Sequence, residues 1–332
     1  MKKLLLTTAL LIPALAPTLT RAEIVMKAGF LTPIQSPRGQ GAELMAQMIH
    51  DSAACDIAVQ LYPSSQLGGT TDLIEGMQIG SVEMSILPAA FMVGFQPLVG
   101  ILDFPFYFPT DKDKLLDFYA SDAMRTLLDT TEEKGVISLG MWHTGYKTWT
   151  ANKPVVTLED YKGLAARVMP SEIIKEQDRL LGMQAVDMPF SETYSALANG
   201  AIDTQENPID TNFFMKFHEV QDYVTLSYHG TLDQIVSVSS IFWSQLSPEC
   251  QADVQAAVDA GGKLTAEKTD EVIANLALPA FEASGTEVVE VPDATRAEIA
   301  AALLPEIKAY FVQQNGDAGQ TVLDAFDAEL SK

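Results

Sequence analysis

The chain has 332 residues, of which 44 are Asp or Glu and 21 are Lys or Arg, so its formal net charge at pH 7 is −23. This charge argues against nucleic acid as a partner, because nucleic-acid binding depends on Lys and Arg side chains that neutralise phosphates. It also argues against peripheral binding to anionic membranes, because such membranes attract basic segments.

The chain begins like a secreted protein. Two lysines are followed by an apolar run from Leu4 to Ala16, and Thr20 and Ala22 supply the small residues of a cleavage site, so the pattern predicts a signal peptide over residues 1–22 and a periplasmic protein. An uncleaved membrane anchor is the alternative, although a spanning helix needs about 20 apolar residues. No cysteine lies near the cleavage site, so no lipid anchor is expected. Cleavage leaves 310 residues, which exceeds what one hydrophobic core usually serves, and we expect two domains.

Cys55 and Cys250 are the two cysteines of the chain. In an oxidising compartment they either pair or stay apart, and the sequence leaves both alternatives open because it does not show their separation in space. A disulfide would close a long loop and constrain the unfolded chain by roughly 4 kcal/mol or more. A metal or thiol site is not expected, since the chain has no CxxC motif and its four histidines are scattered.

The N-terminal half alternates strand-like and helix-like segments. The predicted strands are Ile24–Phe30, Asp56–Tyr62 and Val82–Leu87, and the predicted helices are Gly41–Ser52 and Thr71–Ile79. This alternation predicts a mostly parallel sheet covered by helices. Ligands of such sheets bind beyond the carboxyl ends of the strands. The loops at those ends are Leu31–Pro37, Pro63–Gly69 and Pro88–Gly94.

A second α/β unit begins near Trp142. Its predicted strands are Lys147–Ala151, Ala165–Met169, Gln184–Asp187 and Ala201–Glu206, and its predicted helices are Ser171–Leu181 and Phe190–Asn199. Further along, the pattern predicts crossings between the units at Tyr223–Ser227 and Gln234–Ser239, a long helix over Ser247–Leu278 interrupted at Gly261-Gly262, a strand at Glu287–Val291, a helical stretch after Pro292 and a last helix over Asp317–Leu330. Several short ordered crossings in place of one linker predict a hinge.

The predicted fold class is therefore α/β, with two lobes, a hinge and a long helix that spans both lobes. We expect the first lobe to comprise residues 23–144 and about 233–272, and the second lobe to comprise residues 145–232 and about 273–332.

Six short motifs occur in a specific order along the chain. They are Tyr62–Gly69 (YPSSQLGG), Asp103–Phe106 (DFPF), Lys162–Leu164 (KGL), Arg167–Pro170 (RVMP), Met188–Glu192 (MPFSE) and Asp203–Pro208 (DTQENP). Together with the leader, this set resembles the solute-binding proteins of TRAP transporters, of the DctP type, over nearly the whole mature chain. The resemblance implies a periplasmic-binding-protein-like fold that closes by hinge motion on a small organic acid. It also implies the small and large membrane subunits of a permease as partners, an ion gradient as the driving force, and no cofactor.

Arg167 and Asn207 are the strongest ligand-binding candidates. Arg167 ends a predicted strand, where a planar guanidinium can hold a carboxylate through two parallel hydrogen bonds. Asn207 precedes Pro208, which keeps it extended, so its amide can face a ligand as donor and acceptor. The resemblance implies that Arg167 clamps the carboxylate and that Asn207 contacts the acid. From spacing alone, a surface Arg and a turn Asn remain the alternatives.

Four further candidates come from the second unit. The resemblance implies that Lys147 aids anion binding, although many relatives carry Arg there, and that the ring of Phe190 packs on the ligand. His229 resembles a histidine that reaches the cleft in some relatives, and Trp149 lies close to Lys147 in sequence. A solvated Lys, core aromatic rings and a core His are the alternatives. Glu206 is expected to be a structural partner of a nearby base.

The remaining candidates are generic polar or loop residues. Ser36, Gln66 and Ala89 lie in first-lobe loops where the resemblance implies ligand contacts, and Asp210 and Thr211 follow the Asn-Pro turn, where they can read ligand hydroxyls.

No enzyme signature is present in the sequence. It has no GxSxG elbow, P-loop, GxGxxG or HExxH motif. Two other functions remain open at this point. One is a receptor that presents its ligand to a signalling partner, and the other is a periplasmic lyase acting on an acidic sugar.

Overall fold

A computed structural model describes residues 24–332. The predicted signal peptide, residues 1–22, lies outside the described residues. The structure is mixed α/β and has two lobes, each built on its own sheet, which confirms the predicted fold class. Among residues 24–332, no helix combines the length and the apolar character needed to cross a bilayer.

Eleven strands and twelve α-helices make up the regular structure of residues 24–332. The strands are β1 (Ile24–Phe30), β2 (Ile57–Tyr62), β3 (Met84–Pro88), β4 (Val136–Trp142), β5 (Lys147–Ala151), β6 (Ala165–Val168), β7 (Gln184–Asp187), β8 (Thr204–Pro208), β9 (Tyr223–Leu226), β10 (Gln234–Ser239) and β11 (Glu287–Glu290). The helices are α1 (Pro37–Asp51), α2 (Thr70–Ile79), α3 (Lys112–Tyr119), α4 (Asp122–Asp129), α5 (Leu158–Tyr161), α6 (Glu172–Leu181), α7 (Thr193–Ala198), α8 (Ile209–Phe214), α9 (Ser240–Trp243), α10 (Pro248–Val272), α11 (Leu278–Ser284) and α12 (Asp293–Leu330).

The first sheet has five strands in the order β2-β1-β3-β10-β4. β1 is parallel to β2 and β3, whereas β10 is antiparallel to both of its neighbours. The prediction that Gln234–Ser239 crosses between the lobes is wrong, because this Ile- and Val-containing segment is buried along its whole length inside the first sheet. The same prediction for Tyr223–Ser227 is wrong as well, because Tyr223–Leu226 forms β9 inside the second sheet.

The second sheet has six strands in the order β11-β9-β5-β8-β6-β7. β6 is parallel to β7 and β8, and β11 is parallel to β9, but β5 is antiparallel to β8 and β9. Each lobe therefore carries one strand that runs against a parallel set. The carboxyl ends of β1 and β3 face the cleft from one side, and those of β6 and β8 face it from the other.

Two short crossings, residues 143–146 and 227–233, connect the sheets. Asp233 joins them, because its carboxylate accepts hydrogen bonds from Nδ1 of His143 at 2.9 Å and from the backbone N–H of Thr144 at 2.8 Å. Burial opposes the charged form of His143, but the Asp233 carboxylate outweighs it and raises the pKa of His143. This buried pair anchors the two crossings beside each other at the hinge.

A continuous helical segment follows α9. It comprises α10, a π-helical turn at Ile273–Ala277 and α11. The predicted interruption at Gly261-Gly262 is wrong. A Cβ on either glycine would lie 2.6 Å from the Trp142 ring, so these glycines serve the close approach of α10 to β4. The irregular turn lies just before Pro279, which has no N–H to continue the helical pattern.

The last helix, α12, returns from the second lobe to the first. Its early residues Ile299 and Leu303 pack in a second-lobe cluster with Trp149. The helix breaks at Gly316, whose φ is 58° and ψ is −143°. The predicted helix over Asp317–Leu330 begins directly after this break, and its Phe326 packs 5.0 Å from the Phe118 ring of the first lobe.

Cys55 and Cys250 form a disulfide. The structure therefore answers the question that the sequence left open. The bond ties the segment before β2 to the first turn of α10, 195 residues apart in sequence. A loop of this length constrains the unfolded chain by about 5 kcal/mol.

Candidate functional site

A small cavity lies between the two lobes. Its lining residues are Leu31, Arg38, Pro88 and Phe91 from the first lobe, Arg167, Met169, Phe190, Asn207 and Thr211 from the second lobe, and Leu232 from a crossing. The cavity sits beyond the carboxyl ends of the parallel strands, as expected for this kind of sheet.

A larger depression of about 750 Å³ lies on the first lobe, between α3, α4, β4 and α10. It opens to solvent, and none of the predicted ligand-binding residues lines it. We therefore place the functional site in the smaller cavity between the lobes.

Arg167 is a buried cation on β6, with 1% of its surface exposed. Its Nε and Nη2 donate to the backbone oxygen of Met188 at 3.4 and 3.3 Å, and within residues 24–332 no carboxylate lies within 4.0 Å of the guanidinium. Burial lowers the pKa of Arg167 to about 10, while Glu206 and Asp187 oppose the shift. The side chain therefore stays charged at neutral pH and faces the cavity without an acidic partner.

Phe190 lies against this guanidinium. Its half-buried ring has its centroid 5.5 Å from the Arg167 Cζ. The chain places it there because β7 runs beside β6 and ends at Asp187, three residues earlier. A cation over an aromatic face is stabilised by the ring quadrupole, so Phe190 partly offsets the missing counter-charge.

Asn207 and Thr211 come from the turn between β8 and α8. The Asn207 side-chain amide donates to Gln205, and the backbone oxygen of Asn207 accepts from Thr148 Oγ1 at 2.8 Å. An amide has two N–H donors and one oxygen acceptor, so part of this side chain is free to face the cavity. Thr211 lies in the first turn of α8 and also lines the cavity.

Arg38 is the charged cavity residue that sequence reasoning missed. It lies in the first turn of α1, and its Nη2 donates to Thr211 Oγ1 at 2.8 Å and to Asp210 Oδ2 at 3.3 Å. The signal was the Ser36-Pro37 pair. Ser36 is the N-cap, since its Oγ accepts from the Gly39 N–H at 3.2 Å, and proline favours the first helical position. A helix that begins at Pro37 has Arg38 in its first turn, at the edge of the sheet.

Lys147 and His229 lie behind the cavity, in a buried network centred on Glu206. Lys147 Nζ is 2.7 Å from Glu206 Oε1, and His229 Nε2 is 2.7 Å from Glu206 Oε2. Gln177 Nε2 also donates to Oε2, at 3.1 Å. Burial opposes the charge on Glu206, but Lys147 and His229 outweigh it and hold the pKa of this carboxyl well below its usual range. The ammonium of Lys147 therefore has its counter-charge within the protein.

His229 is held as a neutral ring in this network. Burial lowers its pKa despite the bond to Glu206. Ser227 Oγ lies 2.6 Å from Nδ1, so a ring with its hydrogen on Nε2 donates to Glu206 and accepts from Ser227. Trp149 stacks on the imidazole at a centroid distance of 4.9 Å. Trp149 thus packs on His229 and not on the cavity.

Two further carboxyl groups are buried beside Lys147 and Glu206. Burial raises the pKa of Asp103 to about 6, although Lys147 and Ser171 favour the charged form. Burial also raises the pKa of Asp178, and Glu206 adds to that shift. Both oxygens of Asp178 and Oδ2 of Asp103 lack a hydrogen-bond partner in the described part of the chain.

The other predicted first-lobe residues do not line the cavity. Ser36 caps α1. Ala89 directly follows the cavity residue Pro88, and its N–H donates to the backbone oxygen of Asp233 at 3.0 Å. Gln66 is exposed in the loop before α2. The structure thus brings Arg167, Asn207, Phe190 and Thr211 together and leaves Lys147, His229, Trp149, Ser36, Gln66 and Ala89 outside the cavity lining.

Two lobes joined by short crossings, with a small cavity between them, define a protein that binds a small solute. The sequence matches the family described as bacterial extracellular solute-binding protein, family 7, over residues 29–314. The chain belongs to this family, whose DctP members are periplasmic, and the resemblance to solute-binding proteins of TRAP transporters is confirmed.

Individual relatives agree with this assignment. The chain is 34% identical over 270 residues to the C4-dicarboxylate-binding periplasmic protein DctP of Rhodobacter capsulatus, which covers 80% of this chain and 76% of that protein. A TRAP periplasmic solute-binding protein from Desulfovibrio salexigens with bound orotic acid superposes with a TM-score of 0.89 at 32% identity, covering 92% of this chain and 98% of that one. A second, from Shewanella oneidensis with bound succinate, gives 0.86 at 28% identity, covering 93% and 100%.

Proposed function

We propose that this TRAP solute-binding protein captures a small organic acid between its lobes, with Arg167 as the clamp for a carboxylate. The observation that carries the proposal is a guanidinium that is 1% exposed, lines the cavity and has only a main-chain oxygen as partner. A buried cation without an acidic partner is costly. A carboxylate entering the cavity would remove that cost.

The neighbouring residues suit the same role. Asn207 and Thr211 offer polar groups beside Arg167, and Phe190 closes one side of the guanidinium. Closure of the lobes strengthens the ion pair, because charges attract more strongly once water has left. Lys147, Glu206 and His229 act from behind as a support that holds β5 and β8 in register.

The ligands of relatives support an acid as the solute. The names of the proteins from R. capsulatus, D. salexigens and S. oneidensis record a C4-dicarboxylate, orotic acid and succinate, respectively, and each of these molecules carries a carboxylate. The partners we propose are the small and large membrane subunits of a TRAP permease, to which the protein would deliver its acid in the periplasm after removal of residues 1–22.

The test is calorimetry on Arg167→Ala with acids selected by thermal shift from succinate, malate, orotate and gluconate. We expect affinity to fall by about 3–5 kcal/mol, which is a hundredfold to several-thousandfold, because the bound carboxylate loses its buried partner. Arg167→Lys should restore only part of the loss, since an ammonium lacks the planar fork.

Arg179→Ala is the matched control. Arg179 is exposed on α6 in the same lobe and pairs with Glu176 on the surface, so its loss removes one positive charge without touching the cavity. Unchanged affinity in a folded Arg167→Ala protein would reject the clamp.

A further inference from the structure

Asp103 is a buried acid of the first lobe whose polar surroundings belong to the second lobe. It ends the 3₁₀ helix Pro97–Asp103, in the segment between β3 and β4 of the first sheet. The polar and charged groups that act on its carboxyl come from α6, β5 and β8, and they are Ser171, Lys147 and Glu206, respectively. These three elements belong to the second sheet and its connections, so the interface between the lobes passes beside Asp103.

The carboxyl of Asp103 lacks hydrogen bonds in this interface. The residue is 4% exposed, and its Oδ2 has no hydrogen-bond partner within residues 24–332. The hydroxyl of Ser171 beside it has none in the same part of the chain either. A charged carboxylate withdrawn from water in this way is costly, whereas a protonated carboxyl has an O–H that can donate to the Ser171 oxygen. A proton on Oδ2 therefore suits the interface better than a negative charge.

Lys147 does not compensate a charge on Asp103. The ammonium of Lys147 lies 2.7 Å from Glu206 Oε1 and has its counter-charge there. Burial raises the pKa of Asp103 and outweighs the help of Lys147 and Ser171, and the charge of Glu206 adds to the shift. The cost of a buried charge at this position is therefore removed most simply by a proton.

The other elements packed on the 3₁₀ helix bring no free cation to Asp103 within residues 24–332. The turn at Ala89–Phe91, α4, α6 and α12 pack on it through apolar side chains of a shared core, and α6 also carries the buried acid Asp178. The cations of these elements pair with acids of their own: Arg125 with Asp129, Lys175 with Glu172, Arg179 with Glu176, Arg296 with Asp293 and Lys308 with Asp327.

The burial of Asp103 depends on contact between the lobes. The lobes also meet at the cleft, where Arg38 on α1 donates to Thr211 Oγ1 on α8 at 2.8 Å, so the described arrangement is closed. Because the polar neighbours of Asp103 lie across the interface, rotation of one lobe away from the other separates them from this carboxyl and lets water reach it. A carboxylate in water is well solvated and needs no proton.

We propose that Asp103 is a proton-dependent latch between the lobes, which favours the closed arrangement when Oδ2 carries a proton and favours opening when the carboxyl is ionised. Opening releases this proton to the solvent, and closure takes it up again. Solute capture is accordingly favoured by acidification, and release is favoured by a rise in pH. This inference goes beyond the proposed function, since it concerns how the lobes open and close and not which group holds the ligand.

The direction and the size of the effect follow from the two arrangements. Burial raises the pKa of Asp103 from 3.8 to about 6 in the closed arrangement, and solvation in the open one returns it toward 3.8. Between about pH 4 and pH 6 the closed form therefore holds a proton that the open form has released, and the closed form becomes less favourable as the pH rises. From pH 5 to pH 7 the ratio of open to closed protein should rise about tenfold.

The first experiment measures affinity by calorimetry at pH 5, 6 and 7 for the wild type and for Asp103→Asn. The probe is the acid among succinate, malate, orotate and gluconate that gives the wild type its largest thermal shift. An asparagine amide does not ionise, so the variant keeps the closed arrangement favourable at every pH. We expect the ratio of variant to wild-type affinity to rise severalfold, and at most about tenfold, from pH 5 to pH 7. The ligand's own ionisation cancels in this ratio, because both proteins bind the same acid.

Asp178→Asn is the matched control. Asp178 is buried near the same Lys147 and Glu206, but these neighbours belong to its own lobe, so its burial does not depend on closure. Its affinity ratio to the wild type should not change with pH. If Asp178→Asn shows the rise and Asp103→Asn does not, the latch is not at Asp103 and the inference is overturned.

Small-angle X-ray scattering on the protein without ligand gives a second readout, which does not require that an acid binds. At pH 7 Asp103→Asn should have a smaller radius of gyration than the wild type, and the difference should shrink at pH 5. An affinity ratio that does not change with pH overturns the latch and leaves the proposed function intact. If no acid binds the wild type, the proposed function fails, and equal radii at pH 7 then overturn the latch as well, whereas a smaller radius of the variant supports it.

Discussion

Lys147 and Arg167 are buried cations on two strands of one sheet, on either side of β8, and they differ in their partners. Lys147 has Glu206 at 2.7 Å, whereas Arg167 has a main-chain oxygen at 3.3 Å. The difference arises because Glu206 and Asn207 are consecutive residues of β8. Successive residues of a strand point to opposite faces of the sheet. Glu206 therefore lies on the same face as Lys147. Arg167 pairs in register with Gln205, so Asn207, two residues further along β8, lies on the same face as Arg167.

Under the proposed function, the comparison separates a structural charge from a ligand-binding one. Glu206 neutralises Lys147 permanently, so this pair stabilises the sheet and leaves no affinity for an external anion. Arg167 has no acidic partner, which costs stability in the ligand-free protein, and under the proposed function a bound carboxylate would remove that cost. Each prediction below changes one side of this contrast.

The largest effect on stability is expected from Glu206→Gln. This variant leaves the Lys147 ammonium buried without a counter-charge, and we expect the free energy of unfolding to fall by about 3–5 kcal/mol. Arg167→Met should cost far less in the ligand-free protein, because it leaves no acid unpaired. Urea unfolding of both variants without ligand measures the two values.

The double variant Lys147→Met/Glu206→Gln is the control for this prediction. It removes both charges and keeps an amide that can bond Gln177 and His229, so most of the lost stability should return. Equal losses in Glu206→Gln and Arg167→Met would show that the two cations are not differently balanced.

A smaller effect, dependent on pH, is expected from Asp103. Burial raises its pKa from 3.8 to about 6 in the folded protein. Between about pH 4 and pH 6 the folded state therefore holds a proton that the unfolded chain has released, and stability falls as the pH rises through this window, by about 3 kcal/mol in total. Asp103→Asn should abolish that fall and be the more stable protein at pH 7.

The measurement is the difference between the wild-type and Asp103→Asn unfolding free energies across pH 4 to about pH 7. Asp113→Asn, an exposed change on α3, controls for the loss of one negative charge. Parallel stability curves for the wild type and Asp103→Asn would contradict the prediction. A positive result would show that Lys147, already paired with Glu206, does not compensate the cost of burying a second charged acid.

Much of this arrangement was predictable from local sequence. The strand ends of a parallel sheet made Arg167 and Asn207 candidates, but only the resemblance to TRAP solute-binding proteins favoured them over a surface Arg and a turn Asn. The partner of Lys147 was harder to predict, because Lys147 and Glu206 are 59 residues apart and meet only through antiparallel pairing of β5 with β8. The local pattern of a short strand does not show which neighbour it chooses or in what register.

Arg38 and the two glycines of α10 also show that a local sequence pattern is insufficient to predict the structure. A helix start misplaced by one turn hid Arg38, although Ser36 and Pro37 marked the true start. Gly261 and Gly262 suggested a break because glycine weakens an isolated helix. Their role depends on the Trp142 ring, which lies more than 100 residues away in sequence and packs directly on the helix.

The smallest effect concerns the ring that partly offsets the charge of Arg167. Phe190→Leu keeps an apolar side chain of similar volume but removes the aromatic face 5.5 Å from the guanidinium. We expect the ligand-free protein to lose about 0.5–1 kcal/mol of stability, the range of a cation–π contact. This is well below the loss in Glu206→Gln, because a quadrupole is a weaker partner than a carboxylate.

A double-mutant cycle with Arg167→Met isolates that contact from simple packing. Phe190 also packs against Phe217, and the packing loss appears in both backgrounds and cancels in the cycle. A coupling energy near zero would mean that the ring only fills space, and that Arg167 is left with its main-chain oxygen alone. A coupling of the expected size would instead measure how weakly the empty protein compensates this cation, and therefore how much of its charge remains for an incoming carboxylate.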